Sequence, residues 1–242
     1  MSAPSEIGRV AGLWRYPASS LAGERLGSIT VSQHGVEGDR VFGLVDAATG
    51  EIARPDGAKK WHGVPRIETR LEAGRLEVRV PGGEWLVARG EDVDRAASAF
   101  LGFEASIRPF EEGTSLPAPR YRKAPIHLLT TASLAELQAL HPAGEPDPRR
   151  FRPNILVDMQ PVAGRFPETE WIGRKIAIGD LELTVTDPCR RCGFTIIAQE
   201  GLDNDPEILR TLVRKNAHNL GVYCEVTRPG VIGVGAMLSF VD

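Results

Sequence analysis

The residues best suited to chemistry are two cysteines spaced as Cys-x-x-Cys, Cys189 and Cys192, with Arg190 and Arg191 between them. The thiolate is the nucleophilic and metal-binding form of cysteine, and adjacent guanidinium groups favour it. Four interpretations are open: half of a zinc site, a thioredoxin-like redox pair, one soft ligand or nucleophile beside an anion site, or two cysteines buried for structural reasons at a strand end. The motif follows a predicted strand, so we expect it to lie in a loop.

The rest of the sequence favours some of these interpretations over others. A structural zinc site needs four ligands, and only Cys224 and five histidines without paired spacing remain to supply them. A thioredoxin-like pair is expected at the start of a helix in a βαβ unit, which the sequence does not predict. The residues alone therefore leave a single ligating or nucleophilic cysteine and a structural pair as the main alternatives.

Arginines indicate an anionic ligand. A dense cationic stretch, Arg149-Arg150-Phe151-Arg152-Pro153-Asn154, precedes a predicted strand, and Arg40 precedes another. Guanidinium groups match phosphate oxygens well. Each arginine taken singly is equally typical of a surface ion pair. Ser19 and Ser20 can offer hydroxyls to an anion or form an ordinary turn, and Tyr223 beside Cys224 is typical of a core strand.

The elements that must position these residues are predicted to be mainly β with some α. Short alternating runs separated by glycine and proline predict strands, and helices are expected at residues 92–101 and 131–140 and after Asp205. Ser133 and Glu136 have the spacing of a helix capping box, so Ser133 is left out of the site. A hairpin is predicted between residues 41–46 and 51–53. The polar, proline-rich segment 111–123 is expected to connect two halves.

Composition excludes several classes of function. The net charge of -3 and the pI near 6.0 argue against nucleic-acid binding. No apolar run approaches the length of a membrane span, and the first residues lack the pattern of a signal peptide. We therefore expect a cytoplasmic protein that binds neither nucleic acid nor membrane. Three cysteines do not predict a disulfide framework.

Several motifs in this order resemble the MOSC family, whose name refers to the C-terminal domain of molybdenum-cofactor sulfurases. The resemblance implies a smaller N-terminal MOSC β-barrel domain over residues 1–110, packed with a β-barrel MOSC domain over residues 120–242. The chain is similar in particular to the mitochondrial amidoxime-reducing component and its bacterial relatives. The motifs are Arg15-Tyr16-Pro17-x-x-Ser20, Gly38-Asp39-Arg40, Leu44-Val45-Asp46, Leu128 to Leu134, Arg150 to Ile155, Cys189 to Cys192, Gly221-Val222-Tyr223 and Gly230-Val231-Ile232.

The resemblance implies a molybdenum cofactor, a molybdopterin held between the two halves with one cysteine thiolate on the metal. By position in the motif that cysteine is Cys192, which would then be both the metal ligand and the catalytic residue. The implied cofactor-binding residues are Ser20, Arg40, Arg152, Asn154, Arg191 and Tyr223, with Lys123 replacing a lysine that relatives often carry where this chain has Ser19.

The implied activity is reduction of N-hydroxylated small molecules by a molybdenum-dependent oxidoreductase. The sequence contains no NAD or flavin fingerprint and too few cysteines for an iron–sulfur cluster, so electrons are expected from a separate ferredoxin-type or flavoprotein-type partner. One alternative is a carrier of sulfur or of molybdenum cofactor that uses a cysteine persulfide. Another is an anion-binding protein without catalysis. Substrate specificity is expected to come from loops such as 55–65 and 163–169.

Overall fold

The computed structural model describes residues 6–110 and 125–241 and shows mainly β structure with some helix, as predicted. The strands are β1 Glu6–Arg15, β2 Ala18–Ser19, β3 Glu24–Leu26, β4 Ser28–Ser32, β5 Gly35–Val36, β6 Phe42–Asp46, β7 Glu68–Glu72, β8 Arg75–Arg79, β9 Leu86–Val87, β10 Ala105–Pro109, β11 Ile126–Thr130, β12 Ile155–Asp158, β13 Lys175–Ile178, β14 Leu181–Arg190, β15 Asn219–Arg228, β16 Gly230–Gly233 and β17 Met237–Val241. The α-helices are α1 Glu91–Leu101, α2 Thr131–Leu140, α3 Pro148–Phe151 and α4 Pro206–Asn216, and 3-10 turns span Lys59–Trp61, Val64–Arg66, Pro167–Trp171 and Gly193–Ile196.

Seven strands form a closed barrel in the order β12-β11-β15-β14-β13-β17-β1, and β1 pairs with β12 to close it. Neighbouring strands are antiparallel except β11 and β12, which are parallel and are joined by a crossover containing α2. The first strand of the chain therefore completes a barrel whose other six strands come from the second half. β3 extends the same sheet beside β1.

The remaining strands lie mostly in the first half of the chain, in three small sheets with the orders β10-β6-β2, β7-β8-β9 and β16-β4-β5. The first two sheets and α1 surround a hydrophobic core of their own, in which Trp61 is fully buried and its ring meets the Phe103 ring edge-on at 5.1 Å. The barrel has a separate apolar core that includes Leu13, Leu128 and Val222.

Most predicted elements are present, and three details were wrong. Residues 51–53 form no full strand, since only Ile52 makes an isolated bridge with Val45. The N-cap of α2 is Thr130, whose hydroxyl accepts from the Ser133 amide at 3.1 Å. Cys189 lies within β14, which is longer than predicted, so only Cys192 occupies the following loop. Segment 111–123, including Lys123, falls outside the described residues.

No helix in the described part of the chain is long and apolar enough to cross a membrane.

A buried carboxyl joins three elements on one side of the barrel. Glu168 is fully buried and accepts hydrogen bonds from the hydroxyls of Thr130 at 2.8 Å and Ser133 at 2.5 Å and from the Gly221 amide at 3.2 Å. Burial raises the pKa of the Glu168 carboxyl, while these hydrogen bonds act in the opposite direction. The role of Ser133 is thus to hold Glu168, since it is Thr130 that caps the helix.

We expect Glu168→Ala to lower the free energy of unfolding by about 3 kcal/mol, because three buried donors lose their acceptor. Urea unfolding followed by circular dichroism measures the change. Glu170→Ala is the matched control, because Glu170 lies in the same 3-10 turn but is exposed, and its one ion-pair partner within residues 6–110 and 125–241 is exposed Arg165. Equal stability of the two variants would contradict this role of Glu168.

Candidate functional site

A cavity of about 580 Å³ lies between the two halves of the chain. Its volume is in the range of sites that bind small molecules and cofactors. Seven of the eight residues predicted for the site line it, and the eighth, Lys123, lies outside the described residues. The seven are Ser20, Arg40, Arg152, Asn154, Arg191, Cys192 and Tyr223.

The two cysteines of the motif have different surroundings. Cys189, in β14, is 1% exposed, whereas Cys192 is exposed and lines the cavity just before the 3-10 turn Gly193–Ile196. Partial burial of the Cys192 thiol raises its pKa, as does nearby Asp56, against the lowering effects of the Phe194 amide and Arg191. Only Cys192 therefore presents an accessible thiol, and it would need a metal or another cation to remain ionised at neutral pH.

Cys189 pairs with an arginine. The Arg191 guanidinium donates from Nη1 to Cys189 Sγ at 2.7 Å and from Nη2 to the Phe151 carbonyl at 2.7 Å. Burial opposes ionisation of Cys189, but the charges of Arg191 and His127 and the polar groups of His127 and Tyr223 outweigh it and lower its pKa to about 6. Cys189 is therefore an anion at neutral pH that fixes the direction of Arg191.

Arg152 lines the cavity, and its guanidinium group contacts two aromatic rings. Its guanidinium carbon lies 4.1 Å from the centroid of the Tyr16 ring and 5.3 Å from that of Phe194. It also donates to the Leu21 carbonyl. Cation–π contacts on two sides hold a positive charge in a partly buried position where it can face an anion.

Three cavity residues adopt the left-handed backbone conformation that favours glycine. Ser20 has a φ of 70°, Arg40 of 54° and Arg152 of 56°, and only three other non-glycine residues in the described ranges have positive φ. Such conformations cost about 1 kcal/mol or more each and persist where the surrounding structure holds them. Half of the strained non-glycine positions thus lie at this cavity, as is common at binding sites.

Arg40 is fixed by an ion pair with Asp39, and its guanidinium carbon lies 5.0 Å from the Tyr16 ring centroid. The Tyr16 amide donates to Asp39 Oδ1 at 2.7 Å, and Arg40 Nη2 donates to the Arg152 carbonyl at 3.3 Å. The Ser20 hydroxyl donates to the Ala53 carbonyl at 3.2 Å. These contacts bring the two N-terminal motifs against the Arg150-to-Ile155 motif.

Asn154 and Tyr223 occupy the barrel side of the cavity. Asn154 is 1% exposed, and its side chain accepts from the His127 amide at 3.2 Å and donates to the Trp14 carbonyl at 3.4 Å. The amide of Asn154 thus has a structural explanation, and its contact with a cofactor stays a prediction. Tyr223 lies with its ring centroid 5.9 Å from that of His127.

Sequence reasoning missed several polar residues at the cavity, among them Asp39, His127 and Asp56. Asp39 had a signal, since it stands beside Arg40 in a motif already singled out. His127 and Asp56 had none, because a single histidine or aspartate in a strand or turn carries no spacing that indicates a site.

The donor set argues against zinc. Within residues 6–110 and 125–241, no group of three or more histidine, cysteine, aspartate or glutamate side chains converges as a metal site. One accessible soft thiol facing a cavity with several guanidinium groups fits a metal whose other ligands come from an anionic organic cofactor. The residues present therefore fit a molybdenum cofactor of the predicted kind.

Comparison with known proteins agrees with this arrangement. The MOSC domain matches residues 91–239, and the MOSC N-terminal beta barrel domain matches residues 7–115. The chain belongs to the MOSC domain family. Among solved structures, the YUAD protein of Bacillus subtilis has a similar fold, with a TM-score of 0.51 and 14% sequence identity. The match covers 96% of this chain and 93% of the YUAD chain. That likeness concerns the fold alone.

Curated relatives match only in part. The molybdenum cofactor sulfurase of Drosophila melanogaster is 33% identical over 98 residues, which is 40% of this chain and 12% of that protein. The corresponding protein of Drosophila mojavensis is 27% identical over 143 residues, 55% of this chain and 18% of that protein. The chain thus spans less than a fifth of the length of these relatives, whose name associates the family with the molybdenum cofactor.

Arg191→Met should raise the pKa of Cys189 from about 6 towards its unperturbed value of about 8.5, because the nearest positive charge is lost. Ultraviolet absorbance of the thiolate against pH, in a Cys192→Ser background, measures it. Arg190→Met removes an equal charge from an exposed neighbour and should leave the midpoint near 6. A midpoint that stays near 6 in Arg191→Met would contradict the pairing.

The contact between Cys189 and Arg191 also predicts how the free energy of unfolding depends on pH. The folded pKa of Cys189 lies below the unfolded one, so its ionisation contributes stability above about pH 8.5. That contribution is lost as the pH falls through about 6.

Proposed function

We propose that this chain binds a molybdenum cofactor through the thiolate of Cys192 and reduces N-hydroxylated small molecules. The observation that carries the proposal is the meeting, at one cavity, of the exposed Cys192 thiol and the guanidinium groups of Arg40, Arg152 and Arg191. Membership of the MOSC family supports the choice of metal.

Different residues would bind different parts of an anionic cofactor. Cys192 would be the protein ligand of the metal, and coordination would keep its thiol ionised despite the raised pKa of the free thiol. Arg40 and Arg152 would bind phosphate or pterin oxygens, since aromatic contacts and the Asp39 pair already fix their directions. Arg191 would sit beside the ligand cysteine as a fixed positive charge.

When bound, the cofactor supplies two-electron redox chemistry, in which the N–O bond of the substrate is cleaved to an amine and water with uptake of two protons. The chain's own contribution is to bind and orient. The exposed side of Cys192, next to the turn at residues 54–57, is where a substrate would enter. A separate electron-donor protein of the ferredoxin or flavoprotein type and a cytoplasmic location are part of the same proposal.

A second function is favoured by the names of the relatives and by the ionised Cys189. In that case the chain would carry sulfur: a cysteine thiolate attacks the outer sulfur of a donor persulfide, forms a protein persulfide and releases the donor thiol. Cys192 is the accessible candidate, and Cys189 is the nearby thiolate that could later displace the sulfur. This function retains no molybdenum.

The chain purified from a molybdenum-replete host should contain stoichiometric molybdenum and pterin, and Cys192→Ser should lose most of the metal, by about tenfold or more, because the only protein ligand is removed. Metal is measured by mass spectrometry and pterin by fluorescence after oxidation. Cys224→Ala is the control, because Cys224 is fully buried in the barrel core and lies outside the cavity.

Two results would contradict the ligand assignment. One is loss of metal in Cys189→Ser with retention in Cys192→Ser, and the other is a wild-type chain with no metal but with cyanide-releasable sulfur, which would favour the carrier.

The metal-loaded chain, reduced chemically, should convert a hydroxylamine or N-hydroxy base to the corresponding amine, followed by liquid chromatography. Cys192→Ser should be at least about tenfold slower, because it lacks the metal ligand. A molybdenum-loaded chain inactive on a broad panel of N-hydroxylated compounds would refute the reaction while leaving cofactor binding intact.

A further inference from the structure

A second cavity, with a volume of about 410 Å³, shares one lining residue with the cavity described above. Within the described ranges that residue is Arg152, and the other residues assigned to the cofactor do not line the second cavity. Its volume is in the range of small-molecule sites, so it can take a ligand of its own. The residues that line it include Trp14, Tyr16, Arg25, Leu156 and Gln199.

Gln199 brings a buried hydrogen-bond donor to this cavity. The residue is 8% exposed, and its backbone amide and carbonyl are both bonded to Leu202, at 2.9 and 3.0 Å. The side-chain nitrogen, Nε2, is buried and has no hydrogen-bond partner among residues 6–110 and 125–241. An unpaired buried donor is costly, so native proteins rarely keep one without a reason. The torsion that orients a side-chain amide is soft, so this donor can turn towards an acceptor atom in the cavity.

Arg25 brings a positive charge to the same cavity. Its Nη2 donates to the Ala11 carbonyl at 3.1 Å, and within the described parts of the chain it has no carboxylate partner. A second arginine of the cavity differs in this respect, since Arg149 donates from Nε and Nη2 to the two carboxylate oxygens of Asp147, at 2.9 Å each. The charge of Arg25 is therefore available to an anion that arrives from solvent.

The remaining surface of the cavity is largely apolar. Trp14 is opposite Arg25 in the pairing of β1 with β3, and the Arg25 guanidinium carbon lies 5.5 Å from the centroid of the Trp14 ring. The Tyr16 hydroxyl donates to the Pro153 carbonyl at 3.1 Å, so Tyr16 contributes mainly ring surface. A ligand that suits all of these groups has an anionic acceptor on an apolar body.

We propose that the second cavity is a binding site for a small organic carboxylate, whose oxygens accept from Arg25 and Gln199 and whose apolar body lies against Trp14 and Leu156. Burial of that body favours an organic acid over an inorganic anion, and the charge of Arg25 favours an acid over a neutral molecule of the same shape. The proposal requires neither a metal nor a reaction, so it does not depend on the proposed function.

The binding test compares benzoate with benzamide, which has nearly the same shape without the charge, and with inorganic phosphate, which has the charge without the apolar body. Isothermal titration calorimetry of the 242-residue chain should show benzoate binding about tenfold more tightly than either of the others. If benzamide or phosphate binds as tightly as benzoate, the assigned class of ligand is wrong.

Arg25→Met should weaken benzoate binding about fivefold, the effect of one exposed charge-assisted contact. Arg70→Met is the matched control, because Arg70 also lies over a tryptophan, with its guanidinium carbon 4.3 Å from the Trp85 ring centroid, but does not line the second cavity. It should change the benzoate dissociation constant by less than about twofold. Equal effects of the two variants would contradict the proposal.

Gln199→Met should also weaken benzoate binding about fivefold, because a donor is replaced by a thioether of similar length. The same variant should keep the free energy of unfolding of the free chain, measured with urea, because Nε2 bonds nothing in the described structure. A Gln199→Met chain that binds benzoate as tightly as the wild type overturns the proposal, whatever its stability.

A second readout places the ligand. The chain has four tryptophans, of which Trp14 lines the second cavity. In protein labelled with fluorotryptophan, the fluorine NMR signal of Trp14, assigned with Trp14→Phe, should shift as benzoate is added and saturate with the calorimetric dissociation constant. The shift should occur in chain prepared with or without molybdenum. Benzoate binding that leaves the Trp14 signal unchanged would place the ligand elsewhere and overturn the proposal.

Discussion

The site depends on one buried side chain, Asn154, which ties the chain together where the barrel closes. Its backbone amide donates to the His127 carbonyl at 2.8 Å, and the Trp14 amide donates to its carbonyl at 3.0 Å. Its side chain bonds the amide of His127 and the carbonyl of Trp14. Three strands, β1, β11 and β12, thus meet at one residue whose polar groups are satisfied by main chain, as burial requires.

This closure determines where the charged residues of the cavity point. Two positions before Asn154, the chain ends α3 with Arg152 in a left-handed conformation, which turns the guanidinium towards the Tyr16 and Phe194 rings. Tyr16 follows directly from β1, and its hydroxyl donates to the Pro153 carbonyl at 3.1 Å. The arginine and its aromatic neighbours are thereby held before any ligand arrives, which lowers the entropic cost of binding an anion.

Much of the site could be predicted from residue types and family motifs, and its geometry could not. The cysteine pair and the arginine string indicated a thiol near an anion site, and the family resemblance then selected Cys192 and Arg152. The left-handed φ of Ser20, Arg40 and Arg152 carried no sequence signal, since such conformations normally indicate glycine. The entry of β1 into the barrel, the acceptor role of Glu168 and the position of Asp56 all depend on contacts between residues far apart in the chain.

The central proposal is that molybdenum binds the thiolate of Cys192 and not that of Cys189, and the surroundings of the two cysteines differ accordingly. Cys189 is buried and ionised against Arg191, whereas Cys192 is exposed at the cavity. Anomalous diffraction at the molybdenum absorption edge, from crystals of the metal-loaded chain, tests this most directly. The account predicts one anomalous peak within bonding distance of Cys192 Sγ. A peak bonded to Cys189, or one with no cysteine sulfur beside it, would contradict it.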